Sequence, residues 1–456
     1  MLARSSIRRL ARSSISGLTR VKVNTGIKTG IISNAIKLNN STTTTTVKRF
    51  QSTIPTKPKE IFTNISDKND PNRNIIFEYT WGTWLKDDKL EKDKRRTKFS
   101  IEELNSFLKS LINDENSDAT SSSLITSKHD SNIKILKNNI NEILGENLKD
   151  FEYLKQIDSI HEGKHHRIYK ITTSNDKVLV LRIPYKLDTE LYTKRKISSE
   201  VATMEFLSLN LKDKINIPKV LAYSNNYENK IGLPFILMEY KSGDLLMRQW
   251  NPLITGEINE ENSKKELLKV INPIADINDQ LNSIVFNKFG SIYFKDDLPD
   301  GFESSDVNII EGGDGKVEGE FVIGPTVEKA YFRNKELIKE EDLIKYLGPW
   351  NSDEPLKMIK DLIQLELENF KLKLSVLDSN NNSLTEEYEI LKESIKIYGI
   401  FLKISDFFIN LKPENKSIPN LDKLIKPRIF HPDLDPMNII INDGKANLID
   451  FEGSSI

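Results

Sequence analysis

Apolar positions recur along this chain with two different spacings, and the change from one to the other divides it. From residue 101, Ile101, Leu104, Leu108 and Leu111 fall three or four apart, which predicts a helix with one apolar face; Ser100 followed by Glu103 supplies a capping-box start. Residues 113–131, with Asp118-Ala-Thr-Ser-Ser-Ser, are polar and predict a linker. Near Phe151 the pattern shifts to short aliphatic or β-branched runs: Tyr153–Asp158, Arg167–Thr172, Val178–Ile183, Lys219–Tyr223 and Phe235–Tyr240. With turn-rich residues between them, these runs predict an antiparallel sheet. A helix at about 194–209 interrupts the series, and beyond residue 240 the helical spacing returns at 264–284, 356–374 and 386–411. The last of these starts at Thr385 with Glu386 and Glu387 in its first turn. Residues 286–335, rich in Gly, Asp and Glu, predict an irregular insertion containing a hairpin, and 378–383 a low-complexity loop. At the end, Ile439-Ile-Ile and Leu448-Ile flank Asp443-Gly444, a strong hairpin signal.

Charge adds a separate N-terminal device. The 456 residues carry a net charge of −1, yet residues 1–59 hold twelve Lys or Arg and no acid, so the rest is distinctly acidic. Wound as a helix, residues 2–12 place Arg4, Arg8 and Arg12 on one side and Leu2, Ala3, Ile7 and Leu10 on the other. With the Ser- and Thr-rich stretch that follows, this predicts a mitochondrial transit peptide over 1–50, and Lys48-Arg-Phe-Gln-Ser52 is similar to a matrix-processing site. An acidic mature region argues against nucleic acid as a partner. No window reaches the roughly 18 apolar residues of a membrane-spanning helix, which predicts a soluble mature protein without a transmembrane segment. The absence of cysteine excludes disulfides, thiolate catalysis and Cys-ligated zinc, and five scattered histidines argue against a His-built metal site.

The chemistry is concentrated in the last 27 residues. His431-Pro-Asp433-Leu-Asp435-Pro-Met-Asn438 places a carboxylate and an amide on one loop, and the hairpin returns the chain so that Asp450, in Ile-Asp450-Phe-Glu452, comes beside Asn438. Phosphoryl transfer asks a protein mainly for a carboxylate at the attacking hydroxyl and oxygen ligands for Mg²⁺. Asp433 is accordingly the candidate catalytic carboxylate, Asn438 and Asp450 the candidate metal ligands, and Asp435 with Pro436 a turn. Glu311-Gly-Gly-Asp-Gly-Lys316 lacks the Gly-x-x-x-x-Gly-Lys-Ser/Thr spacing of a phosphate loop and reads as a turn.

These C-terminal motifs resemble the aminoglycoside phosphotransferase and choline kinase branch of the protein-kinase-like fold, with Pro432 where that branch commonly has Gly. Tyr79-Thr-Trp-Gly-Thr-Trp-Leu85, Ser199-Glu-Val-Ala-Thr-Met204, Phe321-Val-Ile-Gly-Pro-Thr326 and Gly348-Pro-Trp350 resemble a fungal mitochondrial family, altered inheritance of mitochondria protein 9, over about residues 75–456. The resemblance implies an α+β, two-lobed fold. A transit peptide (1–50) and an N-terminal extension (51–150) would precede a small nucleotide-binding lobe (151–240). A large, mainly helical lobe (241–456) would carry the insertion near 286–335, the catalytic loop 431–438 and the metal strand 446–452. It also implies a phosphate-covering loop at Gly163, with Lys164 or His165 adding charge, although a lone glycine there reads equally as an ordinary hairpin turn. Arg182 takes the place of the strand lysine that pairs with a helix glutamate, here Glu200; Glu239 lies in the hinge, and His431 braces the catalytic loop. The chain ends four residues after Glu452, where resembling phosphotransferases continue into further helices, so the resemblance implies a large lobe truncated at its C-terminal end.

Two functions are thus expected from different classes. One is a mitochondrial, matrix-located ATP- and Mg²⁺-dependent phosphotransferase acting on a small-molecule hydroxyl. The other is a kinase-shaped binding or scaffold protein with a mitochondrial protein partner, serving mitochondrial maintenance or inheritance; an arginine in place of the lysine and a phosphate loop with one glycine motivate it.

Overall fold

Along the strand His166–Thr173, buried Arg167, Tyr169, Ile171 and Thr173 alternate with half-buried His166, Ile168, Lys170 and Thr172, the period-two signature of side chains on opposite faces. The same alternation in Val178–Pro184 sends Leu179, Leu181 and Ile183 to one face and Val180 and Arg182 to the other. In the computed structural model these strands sit in an eight-stranded sheet of order β1-β4-β5-β6-β8-β7-β3-β2. The strands are β1 (Phe62–Thr63), β2 (Ile125–Thr126), β3 (Lys134–Leu136), β4 (Leu154–Glu162), β5 (His166–Thr173), β6 (Val178–Pro184), β7 (Val220–Ser224) and β8 (Phe235–Glu239). Every neighbouring pair is antiparallel.

The structure describes residues 62–63, 69, 72–113, 124–127, 130–144, 153–212, 214–249, 260–298, 304–312, 319–379, 385–409 and 419–456. The expected transit peptide and its processing site lie outside them, as do Phe151, the Gly-rich turn from 313 and most of the loop at 378–383. Among the described residues no helix is long and apolar enough to cross a membrane.

Both faces of the sheet are covered. On one face Leu179, Leu181, Ile183, Tyr169 and Leu237 pack with Ile101, Leu104, Phe107, Leu108 and Leu111 of the Ile101–Asn113 helix. On the other, Ile236, Met238 and Val220 pack with Ile197, Val201 and Met204 of the Glu190–Asn210 helix. That helix starts at Thr189, whose side chain accepts from the Tyr192 N–H. It is buried on nearly all sides because its far face meets further strands, with Phe206 lying 5.6 Å from Phe286 and 5.5 Å from Phe321.

Two expectations change. The extension over 51–150 does not simply precede the sheet: it adds β1, β2 and β3, and its helix forms part of the core. Strands of two or three residues carry too few positions to show a period. The 286–335 stretch is not an irregular insertion, since Ser291–Phe294, Phe321–Gly324 and Ser305–Asp306 form a three-stranded sheet whose Ile292, Phe294, Phe321 and Ile323 belong to the main core. The capping box is half formed: Ser100 Oγ accepts from the Glu103 N–H at 3.2 Å, while the Ser100 N–H donates to the Ile231 carbonyl. The chain is an α+β fold in which the last hairpin, Ile439–Asn442 with Lys445–Leu448, turns at Asp443 and Gly444 with φ of 48° and 76°, the left-handed values a two-residue turn demands. Ile439, Leu448 and Phe451 bury the hairpin and its tail in the main core.

One buried ion pair ties the segment at Glu78–Trp81 to the β4–β5 hairpin. Arg167, fully buried, donates to Glu162 at 2.9 Å, to Ser159 Oγ and to the Glu78 carbonyl. Glu162 also accepts from the Thr80 N–H, the Thr80 hydroxyl and the Trp81 N–H. Glu162→Ala strands the Arg167 charge and is expected to destabilise by about 3–5 kcal/mol. Thr80→Val removes one neutral donor to a charged group and should cost roughly 1.5–3 kcal/mol or less. Urea unfolding of both variants measures the difference; equal losses would contradict this assignment.

Candidate nucleotide and cation site

Four elements from two distant parts of the chain bring charge to one point. β6 places Arg182 on the face that meets the Glu190–Asn210 helix, and that helix presents Glu200 and, one turn earlier, Lys196. β5 begins at His166, and the residues after the last hairpin bring Asp450 and Glu452. Asp450 takes a left-handed φ of 62° and Gly453 one of 76°, which folds this tail back over the cluster.

Arg182 is 6% exposed. One guanidinium nitrogen, Nη1, pairs with Glu200 Oε1. The other, Nη2, donates to Asp450 Oδ1 at 2.8 Å, Glu452 Oε2 at 3.0 Å and His166 Nδ1 at 3.2 Å. The same His166 Nδ1 lies 3.7 Å from Glu452 Oε2, so Arg182, His166 and Glu452 form one cluster. Lys196, also buried, donates to Asp188 Oδ2 and to Glu452 Oε1, both at 3.0 Å. Glu452 is therefore bridged between two cations. Burial alone would push its carboxyl up, but Lys196, then a side-chain hydrogen bond with His166, then Arg182 outweigh it and hold it well below the usual carboxylate range. Burial pushes the Glu200 carboxyl up against the pull of Arg182. For both cations the neighbouring carboxylates outweigh burial and strengthen proton retention, with Glu200 the largest opposing charge at Arg182 and Glu452 at Lys196.

The loop before the hairpin is held separately. His431 is buried, its Nε2 lies 3.3 Å from the Ile449 carbonyl, and its ring meets Phe451 edge-on at 5.1 Å. Burial lowers its pKa, and a neutral ring whose Nε2–H donates to that carbonyl braces the loop against the residue preceding Asp450. Asn438 Nδ2 donates to the Asp433 carbonyl at 2.9 Å, which turns its Oδ1 the opposite way. The Asn438 carbonyl accepts from the Ile449 N–H at 3.0 Å, so Asn438 and Asp450 share one end of the hairpin. The Asp433 side chain is exposed at the loop surface. Asp435 Oδ1 accepts from the Met437 N–H at 2.7 Å, a side-chain-closed turn.

Two expected site residues stand differently. The Gly163 N–H donates to the His166 carbonyl at 2.9 Å, closing a tight turn in which an added Cβ would lie 2.9 Å from that same oxygen. Glycine is thus required by close approach, and its amide is already used. Burial, reinforced by Lys329, lowers the pKa of His165 next to it. Glu239 bonds the Lys219 N–H and, at 2.6 Å, Lys241 Nζ, away from the Arg182 cluster.

His166, Lys196 and Glu452 belong to the cluster although the sequence reading assigned them no role. Their signals are local: His166 lies two residues from β5 residue Ile168, which faces Arg182 in register, Lys196 stands four before Glu200, and Glu452 two after Asp450. Since its folded pKa is depressed, Glu452 contributes stability at pH above its ordinary value of 4.5 and loses it as pH falls through the depressed range. Glu452→Gln is expected to flatten the acid limb of a stability-against-pH profile below about pH 5; an unchanged limb would contradict the bridged carboxylate.

No family model matches the chain. A relative from Clavispora lusitaniae is 43% identical over 411 residues, covering 89% of this chain and 64% of its own length. One from Debaryomyces hansenii is 40% identical over 442 residues, covering 94% and 68%, and one from Candida albicans is 43% identical over 398 residues, covering 87% and 61%. All three are named altered inheritance of mitochondria protein 9, mitochondrial, and the compartment is the mitochondrion. The chain thus spans roughly two thirds of these relatives' length. A solved structure named as a candidate aminoglycoside phosphotransferase from Ralstonia eutropha aligns over 68% of this chain and 99% of its own, at 11% identity and a TM-score of 0.23. A likeness that loose fixes neither fold nor chemistry. With two-fifths of its residues shared across nine-tenths of its length, the chain belongs to the altered inheritance of mitochondria protein 9 family.

Proposed function

We propose that this protein transfers the γ-phosphoryl group of ATP to the hydroxyl of a small molecule, on a two-lobed kinase-like frame in the mitochondrial matrix, after removal of a transit peptide. The observation that carries the reading is the meeting of Arg182, Glu200 and Asp450: a strand cation, a helix carboxylate and a hairpin-end carboxylate held within hydrogen-bonding distance of one guanidinium. Residues 182 and 450 have no local reason to meet, and phosphoryl transfer is a chemistry that uses such positioned charge.

In this reading Asp433 accepts the proton of the acceptor hydroxyl as its oxygen bonds to the γ-phosphorus, and the bond from phosphorus to the bridging oxygen breaks to leave ADP. Its exposed position leaves it free to meet a substrate. His431 holds the loop, Asn438 fixes the Asp433 backbone, and Arg182 orients the phosphates. The donors fit one hard cation: the Asn438 amide oxygen, turned away from the loop, and the Asp450 carboxylate oxygen not used by Arg182 would hold Mg²⁺. Bound there, it would neutralise phosphate charge.

One observation favours the second reading, a kinase-shaped binding protein without turnover. Arg182 is shared among Glu200, Asp450 and Glu452 and must give up some of this contact to hold phosphate.

Thermal and urea unfolding of the full chain with Mg²⁺ and ATP should show stabilisation of roughly 2.7 kcal/mol at 100 times the dissociation constant, lost in Asp450→Ala. Asp433→Asn should keep this stabilisation and abolish phosphate transfer in a screen of small-molecule alcohols. Stabilisation without transfer by any variant, with a protein partner retained by Asp450→Ala, would favour the binding reading. No stabilisation at all would overturn the nucleotide site.

A further inference from the structure

His166 Nδ1, an Asp450 oxygen and a Glu452 oxygen lie within 4.8 Å of one another, the one such group of three among the described residues. One nitrogen and two carboxylates suit a borderline divalent ion such as Zn²⁺ or Co²⁺ better than Mg²⁺. Yet all three groups point at a single atom, Arg182 Nη2, at 3.2, 2.8 and 3.0 Å. An ion bonded to them at about 2.0–2.2 Å would need the space that this nitrogen occupies.

We propose that Arg182 is the built-in cation of this site, standing where a metal would otherwise sit. The guanidinium cannot simply move aside: Nη1 is paired with Glu200, the side chain is 7% exposed, and it issues from β6, whose neighbours β5 and β8 hold it on both edges. Lys196 takes the remaining Glu452 oxygen and limits the carboxylate's freedom to rotate toward an incoming ion. The cluster is consequently complete without metal. The proposal stands on this geometry alone and does not need the phosphotransfer reading; where that reading holds, it confines the divalent ion to the Asn438 side of Asp450, one ion rather than two.

The test titrates the full-length, nucleotide-free protein with Co²⁺, reading visible ligand-field absorption, and with Zn²⁺ by equilibrium dialysis. Wild type should show no binding that His166→Ala weakens. Arg182→Ala should gain one site at least about tenfold tighter than any in wild type, a difference of roughly 1.4 kcal/mol or more, and adding His166→Ala should remove it. Arg182→Lys, which keeps a cation there, should gain little. His166-dependent metal binding in wild type would overturn the proposal, because the ion would then displace the guanidinium. A folded Arg182→Ala that gains no site would overturn it as well. Should Arg182→Ala fail to fold, Arg182→Gln replaces it in the same titration, and the comparison of wild type with His166→Ala decides by itself: His166-dependent binding refutes the built-in cation, and its absence upholds it.

Discussion

A guanidinium buried between a sheet and a helix is the constraint around which this protein is organised. Arg182 and Lys196 put two positive charges where water scarcely reaches, and Glu200, Asp450, Glu452 and Asp188 answer them. Buried charges cost several kcal/mol each in lost hydration, and they persist only when geometry and hydrogen bonds offset that cost. Here the offset comes from residues up to 270 positions apart, so the charge balance of the sheet depends on where the last hairpin's tail lies. The left-handed backbone at Asp450 and the buried Phe451 aim that tail. His431 and Asn438 then fix the loop that carries Asp433 to the same hairpin end. Fold and candidate site are therefore one arrangement: the contacts that bury charge are also those that would position phosphate.

Much of the fold could be read from the chain. The strands from Leu154 to Glu239 announced themselves as short aliphatic or β-branched runs between turn-rich residues, and the final hairpin by Asp443-Gly444 between aliphatic runs, because strands that must be buried leave such runs in the sequence. What escaped was set by distant contacts. Phe62–Thr63 and Ile125–Thr126 are strands only because β4 and β3 offer free edges. Residues 286–335, rich in Gly, Asp and Glu, suggested an irregular insertion containing a hairpin, whereas Phe294 and Phe321 stack at 5.2 Å and join the main core. The Glu190–Asn210 helix hides its facing direction, since a helix covered on nearly all sides has no polar stripe.

The site divides in the same way. Asp450 was legible as a candidate from the hairpin that carries it, and Arg182 and Glu200 from the places the family resemblance gives them on a strand and the following helix. Their partners were not, because His166, Lys196 and Glu452 are common residue types whose meaning comes only from register: β5 pairs with β6, and Lys196 stands one helical turn from Glu200. Gly163 could be read as a phosphate-covering loop or an ordinary hairpin turn, and its place in the structure is a turn too tight for a side chain. Glu239 serves a neighbouring backbone amide and Lys241.

The most direct test of this account is a double-mutant cycle between Arg182→Gln and Asp450→Asn, read by equilibrium urea unfolding with neither nucleotide nor metal present. If one guanidinium holds the sheet to the tail, the two losses will not add, and the coupling will reach roughly 1–3 kcal/mol, as for residues within one buried network. Losses that add to within about 0.5 kcal/mol would contradict it, since residues that do not share an interaction behave that way.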